Sequence, residues 1–102
     1  MSRLDKLEKL AAMQPDDPFV RYGVGLELAA LERWEDAIAA FDRVLALDSQ
    51  YTAAHLQKAR AETRLGRRDD ARMTLTAGIT AANAAGDRHT ADEMSKLLET
   101  LR

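Results

Sequence analysis

Apolar residues recur along this chain every three or four positions, with polar residues between them. That is the spacing of a helix that buries one face. Leu4, Leu7, Leu10 and Ala11 form a first stripe and predict a helix over Ser2–Met13. The stretch "QPDDP" then interrupts the pattern. Asp17 before Pro18 marks a restart, because the carboxylate caps free N–H groups and a proline at the first helical position forfeits no hydrogen bond. A second helix is expected over Pro18–Leu31, a short turn at Glu32 and Arg33, and a third helix over Trp34–Leu47. "DSQYT" closes the third, with Ser49 or Thr52 as the expected cap of a fourth helix ending near Leu65. Gly66 suits the left-handed residue beyond a helix end. The fifth helix is expected over Arg68–Ala85, where Gly86-Asp87 ends it. The last, Arg88–Leu101, carries the stripe Ala91, Met94, Leu97, Leu98 and Leu101. No run alternates at period two, so the fold class is all-α.

The chain also repeats itself. "LERWEDA" (Leu31–Ala37) and "LGRRDDA" (Leu65–Ala71) agree at Leu, Arg, Asp and Ala, and they start 34 positions apart. With the same shift, Ala37, Phe41, Val44 and Leu45 of the third helix fall on Ala71, Leu75, Gly78 and Ile79 of the fifth. Gly25 falls on Ala59, small on small. Small residues in register let helix axes approach. Helix hairpins that cannot bury a face alone can then cover one another by stacking. Trp34 and Phe41 are assigned to that core.

A helix–turn–helix unit of 34 residues with this alternation resembles the tetratricopeptide repeat. The residues that carry the resemblance are Val24, Gly25, Leu28, Trp34, Ala37, Phe41 and Val44 in a unit over Pro18–Tyr51. In a unit over Thr52–Ala85 they are Ala59, Gly66, Ala71, Leu75 and Gly78. Ser49 departs from the family's usual proline. Lys58 and Glu62 stand where the family has large apolar residues, and their i,i+4 spacing suggests that they pair with each other. The resemblance implies one domain over 1–102, a right-handed α-α superhelix fragment of about six helices, in which 1–17 and 86–102 are capping helices around repeats 18–51 and 52–85.

The resemblance further implies a scaffold whose first helices line a groove for a peptide or another protein. On this sequence the groove positions are Phe19, Tyr22, Leu26, Ala29 and Ala30, then Ala53, Leu56, Arg60, Thr63 and Arg64, with Gln50 and Tyr51 from the linker. An acidic-apolar extended segment or an amphipathic helix suits such a surface. Some family members grip carboxylate termini with a Lys/Asn-based clamp; Tyr22 and Leu26 occupy its first Lys and Asn places, which argues against that use here. Two readings of Phe19, Tyr22 and Tyr51 stay open: packing under the first helix, or anchoring a partner. The alternative to partner binding is a self-associating building block, a homodimer with no separate ligand.

Charge and composition remove other classes. The net charge is -2, without the concentrated basic surface that nucleic acid requires. The arginines of "RLGRRDD" lie beside Asp69 and Asp70. The acidic pairs Asp16-Asp17, Glu35-Asp36 and Asp69-Asp70 each fall at a predicted helix start, where the helix dipole favours negative charge, so capping rather than acid/base catalysis is their expected role. There is no cysteine. His55 and His89 lack a metal-ligand spacing, and no serine sits in a nucleophile motif. The expectation is a non-enzymatic cytoplasmic protein without cofactor or metal. It would have no nucleic-acid partner on the charge argument above, and no membrane partner, since no apolar run approaches the roughly 20 residues that span a bilayer.

Overall fold

The computed structural model describes residues 1–102 as six helices. They are α1 (Arg3–Met13), α2 (Pro18–Ala30), α3 (Trp34–Leu47), α4 (Thr52–Arg64), α5 (Arg68–Ala85) and α6 (Arg88–Thr100). Each packs against its neighbours in sequence, and α4 also meets α2 and α6. The result is a layered array measuring 41 × 28 × 19 Å.

The helix starts follow from local chemistry. Ser2 and Asp5 form a reciprocal capping box at α1, the Ser2 hydroxyl accepting from the Asp5 N–H at 3.0 Å. Asp17 accepts from the N–H groups of Phe19 at 2.9 Å and Val20 at 3.4 Å, and Pro18 follows it. Glu35 and Asp36 occupy the first turn of α3, and Asp69 and Asp70 that of α5. The fourth helix departs from expectation. Tyr51 precedes it with no side-chain cap, and neither Ser49 nor Thr52 caps it. Thr52 instead donates its hydroxyl proton to Asp87 Oδ2 at 2.8 Å, tying the start of α4 to the start of α6. Hydrogen bonds from Thr90, joined by the one from Thr52, hold the Asp87 carboxyl below its usual pKa.

Two apolar clusters form the core. The first joins Leu4, Leu28, Ala37, Phe41, Val44 and Ala54; the second joins Leu56, Ala59, Ala71, Leu75, Ala82, Ala91, Met94 and Leu101. α4 contributes to both, so the clusters meet through one helix. Small residues set the spacing. A Cβ on Gly25 would stand 2.7 Å from Phe41 Cδ1, and one on Gly78 would stand 2.7 Å from His55 Cβ. Real Cβ atoms do not approach so closely, so the helix crossings α2–α3 and α4–α5 depend on these glycines.

Lys58 and Glu62 do not pair with each other as their spacing suggested. Lys58 Nζ lies 2.7 Å from Asp42 Oδ1 of α3. Glu62 is buried and accepts a hydrogen bond from Thr74 Oγ1 of α5 at 2.6 Å. Partners on adjacent helices win because both side chains point off α4 into the seam between α3 and α5. Burial raises the Glu62 pKa, against the opposing influence of the Thr74 hydrogen bond and the Lys58 charge.

Candidate functional site

Two hollows of similar size lie on different sides of the array. One, of about 460 Å³, follows the seam between α3 and α5 over α4. Most of its charges already have partners: Lys58 pairs with Asp42 and Glu62 with Thr74 inside it, and Arg67 with Glu35 at its edge. The other, of about 470 Å³, is a groove between α2, α4 and α6. Its α2 wall is Leu26, Ala29 and Ala30; its α4 wall is Gln57, Arg60, Thr63 and Arg64; Trp34 and Leu97 close it. No carboxylate lines it.

The groove is built by helix periodicity. Leu26, Ala29 and Ala30 lie at offsets of three and four on α2, and Arg60, Thr63 and Arg64 repeat that spacing on α4. Two short-chain residues on α2 leave the space that the longer α4 side chains overhang. The Arg64 guanidinium carbon lies 5.1 Å from the Trp34 ring centroid, a cation–π contact. Arg60 reaches Glu93 Oε2 at 3.3 Å, and Arg64 reaches Glu32 Oε1 at 3.6 Å. Both pairs are exposed enough for water to screen them.

Beside the groove, α1 and α2 enclose an almost wholly apolar pocket of about 260 Å³ lined by Leu7, Leu10, Phe19, Tyr22 and Leu26, among others. Phe19 is 71% exposed there. Tyr22 turns inward, its ring 5.1 Å from that of Tyr51 and 5.8 Å from that of Phe41. Burial raises the pKa of the Tyr22 phenol, with a Gln57 hydrogen bond and the Arg60 charge pulling the other way. Burial also raises that of Tyr51, reinforced by the charges of Tyr22, Asp17 and Asp48.

The residues expected at the groove therefore divide. Leu26, Arg60 and Arg64 line it, with Ala29, Ala30 and Thr63. Phe19 and Tyr22 belong to the pocket under α1, and Tyr51 to the aromatic stack on Tyr22. Leu56 is a correction: it is only 6% exposed and packs in the second core cluster with Leu75 of α5 and Met94 of α6. The docking of α6 encloses it. Trp34 is a second correction: it is half-buried and walls the groove rather than filling the core. Gln57 and Leu97 were not anticipated as groove residues. Leu97 carries only a core-stripe signal in sequence, and its place at the groove depends on where α6 docks.

His55 and His89 serve locally. His55 Nε2 lies 3.1 Å from the Ser49 carbonyl oxygen, and His89 Nε2 lies 2.7 Å from Glu93 Oε1. No group of three or more His, Asp or Glu residues is placed to hold a metal ion. No helix is long and apolar enough to cross a membrane.

Paired antiparallel helices, stacked through small residues and carrying a groove on the side of alternate helices, define the class of helical-hairpin arrays. The tetratricopeptide repeat family model matches residues 28–89. The chain belongs to that family. It is similar to a tetratricopeptide repeat domain protein from Salinibacter ruber, solved by NMR, at 27% identity over 86% of this chain and 89% of that one, with a TM-score of 0.80. It is also similar to protein BPP2914 from Bordetella parapertussis, at 25% identity over 99% of this chain and 88% of that one, TM-score 0.86. The TPR2B domain of yeast Sti1, solved as a complex with pHsp70, shares the fold at 21% identity over 96% of this chain and 78% of that one, TM-score 0.91. The search of curated proteins found no significant match.

Proposed function

We propose that this chain is a non-catalytic module that holds a protein or peptide partner in the groove between α2, α4 and α6. The observation that carries this reading is the groove itself: an apolar wall, an indole and two exposed guanidinium groups facing one space. Desolvated apolar area supplies affinity in such a surface, and the flanking cations supply orientation and partner choice. The structural likeness to a Sti1 domain in complex with pHsp70 supports the same reading. We further propose that α1 and α6 act as caps around repeats 18–51 and 52–85. In support, Leu4 of α1 joins the first core cluster, while Met94 of α6 and Leu101 join the second.

Site-specific photocrosslinking tests the groove. A benzoylphenylalanine at Ala30, inside the groove, should trap a partner in native lysate, and one at Met73, on the opposite side, should not. Trapping from Met73 but never from Ala30 would place the partner surface on the α3–α5 side. A second reading, self-association, is favoured by one feature: Phe19, Leu10 and Leu26 leave apolar surface open beside α1. Sedimentation equilibrium over a concentration series decides it. A dimer abolished by Phe19→Glu supports self-association, and a monomer at every concentration dismisses it.

A further inference from the structure

We propose that the groove selects an extended segment in which acidic and apolar residues alternate, and that Glu32 and Glu93 hold its two arginines until that segment arrives. The proposal rests on the reading of the groove as the partner surface and adds the chemistry of the partner.

Arg60 and Arg64 are four residues apart on α4, about 6 Å along the helix axis. Side chains on one face of an extended chain recur every two residues, about 6.6 Å. Carboxylates at positions i and i+2 of a partner therefore match the two guanidinium groups in register. The residues between and flanking them project to the opposite face, where the wall is Leu26, Ala29 and Ala30. Acidic toward α4 and apolar toward α2 is the pattern this geometry accepts.

Both arginines already hold carboxylates, and exchangeable ones. Glu93 and Glu32 reach Arg60 and Arg64 from outside the groove lining. All four side chains keep more than a third of their surface in water, so exchanging one carboxylate for another costs little. Glu93 also retains His89 as a partner after releasing Arg60. Arg64 stays positioned throughout, because it rests over Trp34.

Glu32 occupies a backbone conformation that disfavours any residue with a side chain. Its φ is +59°, and 34 positions later the equivalent turn has Gly66 at +76°. Glycine would satisfy that turn without strain. A glutamate there keeps a local cost and gains only what its side chain does, which in this structure is to meet Arg64.

The test uses a fluorescein-labelled decapeptide of alternating Glu and Val, with Gln/Val and Lys/Val versions as controls. Binding is read by anisotropy and by the fluorescence of Trp34, the only tryptophan. The Glu/Val peptide should bind at least about tenfold more tightly than Gln/Val, since hydrogen bonds to charged groups exceed neutral ones. Arg60→Gln with Arg64→Gln should erase that preference. Glu32→Gln with Glu93→Gln should tighten Glu/Val binding several-fold and leave Gln/Val binding unchanged. If Gln/Val binds as well as Glu/Val while still perturbing Trp34, the acidic specificity is wrong but the groove reading stands. If no peptide perturbs Trp34 or the anisotropy, the proposal and the groove reading fall together. Unchanged Glu/Val affinity in the Glu32→Gln, Glu93→Gln protein would refute the holding role alone.

Discussion

The close approach of α2 and α3 at Gly25 and Phe41 yields a double-mutant prediction with a definite sign. Phe41 is fully buried, and a methyl group on Gly25 would collide with its ring. Gly25→Ala carries two opposed effects. Replacing a mid-helix glycine by alanine favours the helix by about 1 kcal/mol. Forcing a methyl into a filled core costs about 1–3 kcal/mol. The net expectation is a loss of about 0–2 kcal/mol, out of roughly 5–15 kcal/mol for a domain. Phe41→Val removes the Cδ1, Cε1 and Cζ atoms that cause the collision and by itself costs about 2–4 kcal/mol as a large-to-small change. In the Phe41→Val background the collision is gone, so Gly25→Ala should become neutral or stabilising. The coupling between the two sites is then about 1–3 kcal/mol, well beyond the roughly 0.3–0.5 kcal/mol expected of independent sites. Urea unfolding followed by helical circular dichroism measures all four proteins. Additive costs would show that Gly25 and Phe41 do not share the contact on which the α2–α3 crossing depends.

Two further outcomes concern the second half of the chain. Glu62 has a raised pKa in the folded state, so between its unfolded value near 4.5 and its folded value the native protein binds more protons than the unfolded chain. Stability at this residue is therefore present at low pH and lost as pH rises through that window. Glu62→Gln, which can still accept from Thr74, should remove that decline; melting curves from pH 4 to 8 that run parallel for the two proteins would contradict the assignment. Deleting residues 86–102 strips Ala91, Met94 and Leu101 from the second cluster and removes Asp87 from Thr52. The remaining chain should melt broadly and at lower temperature, and a transition as sharp and as hot as that of the full chain would deny α6 a capping role.

Sequence by itself determined the six helices, because periodicity and caps act within one or two helical turns, and it showed the small-residue register as a recurrence 34 positions along the chain. Asp17-Pro18 begins α2, and Gly66 and Gly86 take the left-handed backbone expected beyond a helix end. Glu32 shows where local reasoning stops: its sequence marks a turn, but only the fold reveals that a glutamate fills a glycine-like conformation. The same limit governs Lys58 and Glu62, whose spacing favours a local pair while Asp42 and Thr74 stand nearer in space.

The groove's membership was decided by tertiary packing. Leu56 lies on the groove-forming helix, yet the docking of α6 draws it into the core. Trp34 has the composition of a core residue, but Arg64, thirty positions on, lies over its ring at the groove edge. A helix's own repeat specifies which residues share a face. What that face meets depends on the angle and depth at which other helices dock, and those are settled by contacts between residues far apart in the chain.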